Sequence, residues 1–120
     1  MPAARYDFKI EQGATFQRTI TWKDSNGNPI DLTGYKIRLQ ARINPNDKDP
    51  IIDLSTSPEV GGIEILTPAG NGQFRITMDA SDTASLDFAE ALYDLEAEDP
   101  DGNVTRLLEG TIELSREITK

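Results

Sequence analysis

The chain of 120 residues contains no cysteine and no histidine. Without cysteine there is no disulfide, no thiolate zinc site and no thiol nucleophile. Without histidine there is no Ser-His-Asp arrangement, no imidazole metal ligand and no side chain that titrates unaided near neutral pH. Aromatic residues make up 7% of the chain, which leaves little for an exposed sugar-stacking patch once a core has taken its share. No apolar run approaches the roughly 20 residues of a membrane-spanning helix. The opening Met1-Pro2-Ala3-Ala4-Arg5-Tyr6-Asp7 lacks the apolar stretch of a signal peptide. These absences predict a soluble protein made in a cytoplasm. What is present, 37% hydrophobic and 28% charged residues, suits one globular domain over 1–120, with residues 1–5 and 117–120 expected to fray or to act as interface tails.

Cations are missing from one long stretch. Residues 1–60 carry eight charges of each sign, so the second half carries the whole net charge of −9. Between Arg75 and Arg106 there is no basic residue, while Asp79, Asp82, Asp87, Glu90, Asp94, Glu96, Glu98, Asp99 and Asp101 accumulate. Such a surface repels phosphate backbones and anionic lipid, so neither nucleic acid nor a membrane is an expected partner. It keeps the chain soluble, and it also suggests a dipolar domain whose acidic side meets a basic neighbour.

The dominant period of the sequence is two. Tyr6, Phe8 and Ile10 alternate with Asp7 and Lys9; Tyr35, Ile37, Leu39, Ala41 and Ile43 alternate with Lys36, Arg38, Gln40 and Arg42. The same pattern holds over Phe74, Ile76 and Met78, over Ala91, Tyr93, Leu95 and Ala97, and, less regularly, over Leu108, Ile112 and Leu114. Phe16, Ile20 and Trp22 share a parity that Arg18 interrupts. Alternation marks strands with one face on a core and one in water. The separators carry turn chemistry: Asp24-Ser25-Asn26-Gly27-Asn28 holds the Asn-Gly pair of a type I′ hairpin, and Asp99-Pro100-Asp101-Gly102-Asn103 plays the same part further on. Residues 44–50 read as a long, mobile polar connection, and only residues 80–88 look helical. The fold class predicted is all-β: an antiparallel β-sandwich of seven or eight strands with one short helical segment, a small barrel being the rival. Its core should include Phe8, Trp22, Leu32, Ile37, Leu39, Ile65, Phe74, Ile76, Tyr93, Leu95 and Ile112.

Few groups invite chemistry. Asp94, Glu96 and Glu98 share one strand face, successive members about 7 Å apart, which matches a glycosidase carboxyl pair in spacing but offers no aromatic to stack a sugar and no cleft to desolvate one acid. A solvated or salt-bridged face is the better reading. Asp99, Asp101 and Asn103 imitate the opening of a calcium loop, yet the glycine is misplaced and Gly110 stands where the twelfth-position glutamate belongs, so a hairpin turn is expected instead. Gly70 and Gly72 lack the following Lys-Ser/Thr of a phosphate loop, and Trp22 reads as a core plug. In Asp31-Leu32-Thr33-Gly34-Tyr35, Asp31 or Thr33 can bond a nearby amide, Gly34 can take positive φ and Leu32 can drop into the core, which makes a structural corner.

That corner belongs to a longer pattern. It runs through Gln12-Gly13-Ala14-Thr15-Phe16, then continuously over residues 21–35, then Gly72-Gln73-Phe74-Arg75-Ile76, Asp82-Thr83-Ala84-Ser85-Leu86, Tyr93-Asp94-Leu95-Glu96 and residues 101–110. Over nearly the whole chain the order of segments resembles the immunoglobulin-like β-sandwich of tail-collar and long-tail-fibre attachment proteins of siphophages, and is similar to the N-terminal domain of the phage baseplate upper protein family. The resemblance implies a structural virion protein, present in several copies on tail, baseplate or neck, whose partners are other virion proteins, and it brings no catalytic residues and no cofactor. A head decoration protein and a stand-alone immunoglobulin-like carbohydrate-binding or adhesion module are the alternatives, and an enzyme is not expected. The charge asymmetry suggests where contacts form. Lys36, Arg38 and Arg42 lie on the polar face of one strand and Asp94, Glu96 and Glu98 on that of another. If the faces lie apart, they are the two halves of a head-to-tail or docking contact; if the strands are neighbours, the charges pair within one subunit.

Overall fold

The computed structural model describes residues 3–119, so Met1, Pro2 and Lys120, part of the expected end tails, lie outside the described residues. Among the described residues nine strands form two packed sheets. The larger joins β1 (Ala4–Arg5), β9 (Val104–Ser115), β8 (Glu90–Glu98), β4 (Lys36–Arg42) and β5 (Ile52–Ser55) in that order, with β2 (Phe8–Glu11) also on β9. The smaller has the order β3 (Phe16–Thr21), β7 (Gln73–Met78), β6 (Ile63–Ile65). The all-β sandwich follows from the period-two pattern: Ile37, Leu39 and Ala41 face in while Lys36 and Arg38 face out, and β8 repeats this with Ala91, Tyr93, Leu95 and Ala97. Counting β1 and β2 as one strand broken at Tyr6 and Asp7 gives eight.

One part of the expected pairing is different. β1 and β2 run parallel to β9, Ala4 beside Leu108 and Phe8 beside Ile112, so the large sheet is mixed rather than wholly antiparallel. No short turn joins these segments; the rest of the fold lies between them in sequence, which leaves them free to lie in the same direction. Ala4 and Arg5 are therefore paired strand, not a frayed end. At the break the Asp7 carboxylate replaces a backbone partner and accepts the Thr111 amide at 2.9 Å. The Tyr6 amide donates to the Glu109 carbonyl, and the buried Tyr93 hydroxyl donates to the Tyr6 carbonyl. Gly110 allows this: a Cβ there would stand 2.5 Å from the Tyr6 carbonyl oxygen and 2.6 Å from Asp7 Oδ1.

The core is one cluster. Phe8 packs edge-on against Phe16 and tilted against Tyr93, ring centroids 5.7 and 5.0 Å away, which ties the large sheet to the small one through aromatic contacts. Nine of the eleven expected core residues are buried; Trp22 and Ile65 are only partly so, because each sits at the end of a strand on the rim of the sandwich. Strand β5 has no counterpart in the sequence reading, since Ile52, Asp53 and Leu54 are too short a run to stand out. The helix is limited to Ala80–Ala84; beyond it Leu86 and Phe88 turn into the core, and Thr83, wholly buried, donates its hydroxyl to the Ala14 carbonyl while accepting the Gly13 amide.

Two turns share one chemistry. In each, the first aspartate's Oδ1 accepts two backbone amides, Asn26 and Asn28 onto Asp24, Asp101 and Asn103 onto Asp99. Gly27 and Gly102 alone take positive φ, 84° and 89°, so these are turns closed by a left-handed glycine, and the type I′ form expected at Asn26 is not adopted. The corner is built as expected: Asp31 Oδ1 accepts the Thr33 amide and hydroxyl, Gly34 has φ 77° and Leu32 is fully buried. In the connection over residues 44–50 the Asn44 amide donates to Asp47 Oδ2 and Arg42 Nε donates to the Asp47 carbonyl.

Two outcomes test this packing. Leu39→Ala removes a buried side chain from the middle of the large sheet and is expected to cost about 2 to 5 kcal/mol in denaturant melts. Gly110→Ala is expected to speed hydrogen exchange at the Tyr6 and Thr111 amides while the β4–β8 amides keep their protection.

Candidate functional site

Strand pairing brings all six expected interface residues together. β4 and β8 are antiparallel neighbours, with Lys36 opposite Glu98, Arg38 opposite Glu96 and Arg42 opposite Leu92. The separated-faces arrangement is therefore corrected: the basic and acidic strands lie side by side on the outer face of the large sheet, because Leu39 and Leu95 of equal parity bury together and carry the charged positions outward in step. Arg38 Nη2 lies 3.5 Å from Glu96 Oε1, and Asp94 is 3.5 Å from Arg106 on the next strand. Arg42 bonds Gln40 Oε1 at 3.1 Å, and Gln40 in turn donates to Asp53. The face is a lattice of alternating charge spanning four strands. It has two shallow depressions, one of about 310 Å³ beside Arg42, Leu92 and Asp94 and one of about 200 Å³ beside Lys36, Glu98 and Val104.

Its electrostatics follow from burial and pairing. Partial burial, reinforced by the Glu96 charge and opposed by Arg106, Arg38 and Arg42, raises the pKa of Asp94 above the ordinary 3.8. Elsewhere three aspartates are held below that value by hydrogen bonds: Asp7 by the Thr111 amide, Asp31 by the Thr33 hydroxyl and amide, and Asp99 by the Asn103 amide and side chain. Asp99 is thus engaged by its own turn. Burial, with the nearby Asp7 charge, pushes the Tyr93 phenol up and keeps it a neutral hydrogen-bond donor.

A second surface was not foreseen. Beside the edge strand β3, Ile20 and Trp22 face Leu107 and Leu108 of β9 across an open groove of about 470 Å³ whose rim includes Lys23 and Arg106. It continues, through the shared Ile20 and Leu108, into a second lobe of about 220 Å³ beside Tyr6, Phe8 and Arg18. The groove depends on a register shift. Leu95 pairs with Leu108 but Glu96 with Arg106, which leaves Leu107 as an extra residue in β9 and lets two consecutive leucines line one cavity. Trp22 is fixed by its amide on the Gly72 carbonyl and by an edge-on contact with Tyr35, ring centroids 5.9 Å apart. Gly72 must be glycine there, since a Cβ would meet the Trp22 carbonyl oxygen at 2.6 Å. The broken parity at Arg18 was the one sequence signal of this groove.

Two sheets packed face to face, with the N-terminal strand laid parallel on the C-terminal one, define the protein as an immunoglobulin-like β-sandwich. Among solved structures 228 chains match it, so the frame is widely shared and says nothing of function by itself. One is Tim-1, at a TM-score of 0.52 and 13% identity over 100% of this chain and 99% of that one, a likeness of fold alone. No family model and no curated protein matches the sequence.

The charged lattice makes two predictions. Arg38→Glu is expected to cost about 1 kcal/mol or less, the range of an exposed pair, without changing the fold as read by circular dichroism. For the carboxylates the signs oppose. Asp7, Asp31 and Asp99, with lowered values, lend stability that is complete above 3.8 and is lost as the pH falls through those lowered values. Asp94, with a raised value, disfavours the fold at neutral pH, and that cost disappears as the pH falls below 3.8. Asp94→Asn should therefore melt no lower than the parent at pH 7 and lose any advantage in acid.

Proposed function

We propose that this chain is a structural protein of a tailed-bacteriophage particle, an immunoglobulin-like module that assembles in several copies on tail, baseplate or neck and serves as collar or adaptor for fibres or neighbouring virion proteins. The reading rests first on the sequence resemblance, whose most specific stretch, residues 21–35, builds the Asp24 turn, the Asp31 corner and the rim beside Trp22. The observation that carries it in the structure is how the polar groups are spent. Among the described residues no buried side-chain nitrogen or oxygen lacks a partner, and of the clustered carboxylates Asp94 and Glu96 engage arginines on neighbouring strands and Asp99 its own turn's amides. A module of this kind offers surfaces rather than a reaction site, and it needs no cofactor. With net charge −9 its partners are proteins, not nucleic acid or anionic lipid.

A head decoration protein is the same reading at another place on the particle. The half-exposed Trp22 favours one further reading, an immunoglobulin-like carbohydrate-binding or adhesion module, because an accessible indole is what such a site would stack against. Quantitative mass spectrometry of density-purified particles, alongside the soluble fraction of the same lysate, separates them. The expected result is the chain in the particles at a fixed ratio to the tail or head proteins. A chain confined to the soluble fraction would overturn the virion reading.

A further inference from the structure

In constant-type immunoglobulin sandwiches the sheet that holds the second strand has four members, with the N-terminal strand at its edge. Here β1 and β2 pair with β9, and among the described residues the small sheet stops at β3. The edge left open is usable. Trp22 bonds the Gly72 carbonyl and continues the ladder in which Phe16, Arg18 and Ile20 pair with β7. By the alternation of an antiparallel pair, the amides and carbonyls of Gln17, Thr19 and Thr21 point the other way, outward. Arg18 covers one of them by donating to the Gln17 carbonyl at 2.9 Å; Thr19 and Thr21 remain at the open end, beside the two-lobed groove.

We propose that this groove binds an extended segment of another protein, apolar at alternate positions and acidic between them, which adds to β3 as a fourth strand. Main-chain bonds to Thr19 and Thr21 supply affinity, and the two lobes supply specificity. A strand places residues i and i+2 about 7 Å apart on one face. One side chain then enters the lobe of Trp22, Leu107 and Leu108, and the next the lobe of Tyr6, Phe8 and Ile20. The residues between point to the opposite face, the side of Thr19, Thr21 and Lys23, and charge selects them from there and from the rim. The lobes are lined by Arg18, Lys23 and Arg106 and by no carboxylate, on a chain whose net charge is −9. Arg106 already shares Asp94 and Glu109, but among the described residues neither Arg18 nor Lys23 is in an ion pair. Arg18 lies 4.6 Å from the Phe16 ring, an inward charge on an edge strand, and such charges deter pairing between like edges. Two copies joined symmetrically through β3 would bring both Arg18 groups into a lining without a carboxylate, so the occupant is a different, acidic segment. This inference needs no virus particle and stands or falls apart from the reading above.

Trp22 is the only tryptophan in the chain, so its fluorescence reports the groove directly. The probes are a short acetylated peptide of alternating valine and glutamate, its valine–lysine counterpart, and the glutamate peptide with a central proline. The expected result is a saturable shift of Trp22 emission with the glutamate peptide only, weaker at high salt. Thr19→Pro removes an outward amide and should abolish the shift. Arg18→Glu with Lys23→Glu leaves the backbone intact, should weaken the glutamate peptide about tenfold and should admit the lysine one, which keeps the test decisive if the proline variant misfolds. No saturable shift, or an equal response to all three peptides, would overturn the proposal. So would a shift that follows protein concentration alone with elution as a dimer, which would give the groove to a second copy.

Discussion

The architecture depends on the seam where the two ends of the chain lie side by side. Among the described residues β1 and β2 pair only with β9, so the large sheet is completed when these segments dock on that strand. A parallel pair without a connecting turn has no local help in forming, and its register must come from side chains. Asp7 and Tyr93 provide it, one receiving the Thr111 amide and the other gripping the Tyr6 carbonyl, while Gly110 leaves room for the chain to pass. Phe8 then enters the core between Phe16 and Tyr93 and couples the seam to both layers. The same choice of partner denies the small sheet its outer strand. Seam and open edge are one decision of the backbone.

The distribution of charge has a similar logic. The acidic excess of the second half is spread over turns and over the outer face of β8, where β4 and β9 set cations against it. Asp94, Glu96 and Glu109 are paired with arginines there. Among the described residues Lys9, Arg18, Lys23, Lys36, Arg42 and Lys48 are in no ion pair, and two of them, Arg18 and Lys23, stand next to the apolar side chains of the groove. An overall acidic chain thus sets two free cations beside an apolar groove, and potentials of that kind steer encounter more than they add affinity.

Much of this was legible in the sequence because it is local. Strand faces follow from alternation, the Asp31 corner from one carboxylate, one hydroxyl and one glycine, and the two turns from an aspartate placed ahead of a glycine. Turn type was not, since whether Asn26 or only Gly27 adopts positive φ depends on the strands that leave the turn. Pairing partners were not either. Nothing in Lys36, Arg38 and Arg42 says that Glu96 and Glu98 lie opposite, and nothing in Tyr6, Phe8 and Ile10 says that β9 runs beside them in the same direction. Trp22 was misread for the same reason: parity assigns a face, but burial at the end of a strand depends on what covers the rim.

Leu107 has a consequence of its own. The residues on either side of it keep their partners on β8 as though it were absent, so the hydrogen-bonded ladder has no use for it. A single-residue deletion at that point leaves both halves of the ladder in register and straightens the strand, whereas a deletion two residues along would shift a buried row. A change of length there spares the β8–β9 register and takes one side chain, Leu107, from the lining of the groove and from the edge of the core it packs against.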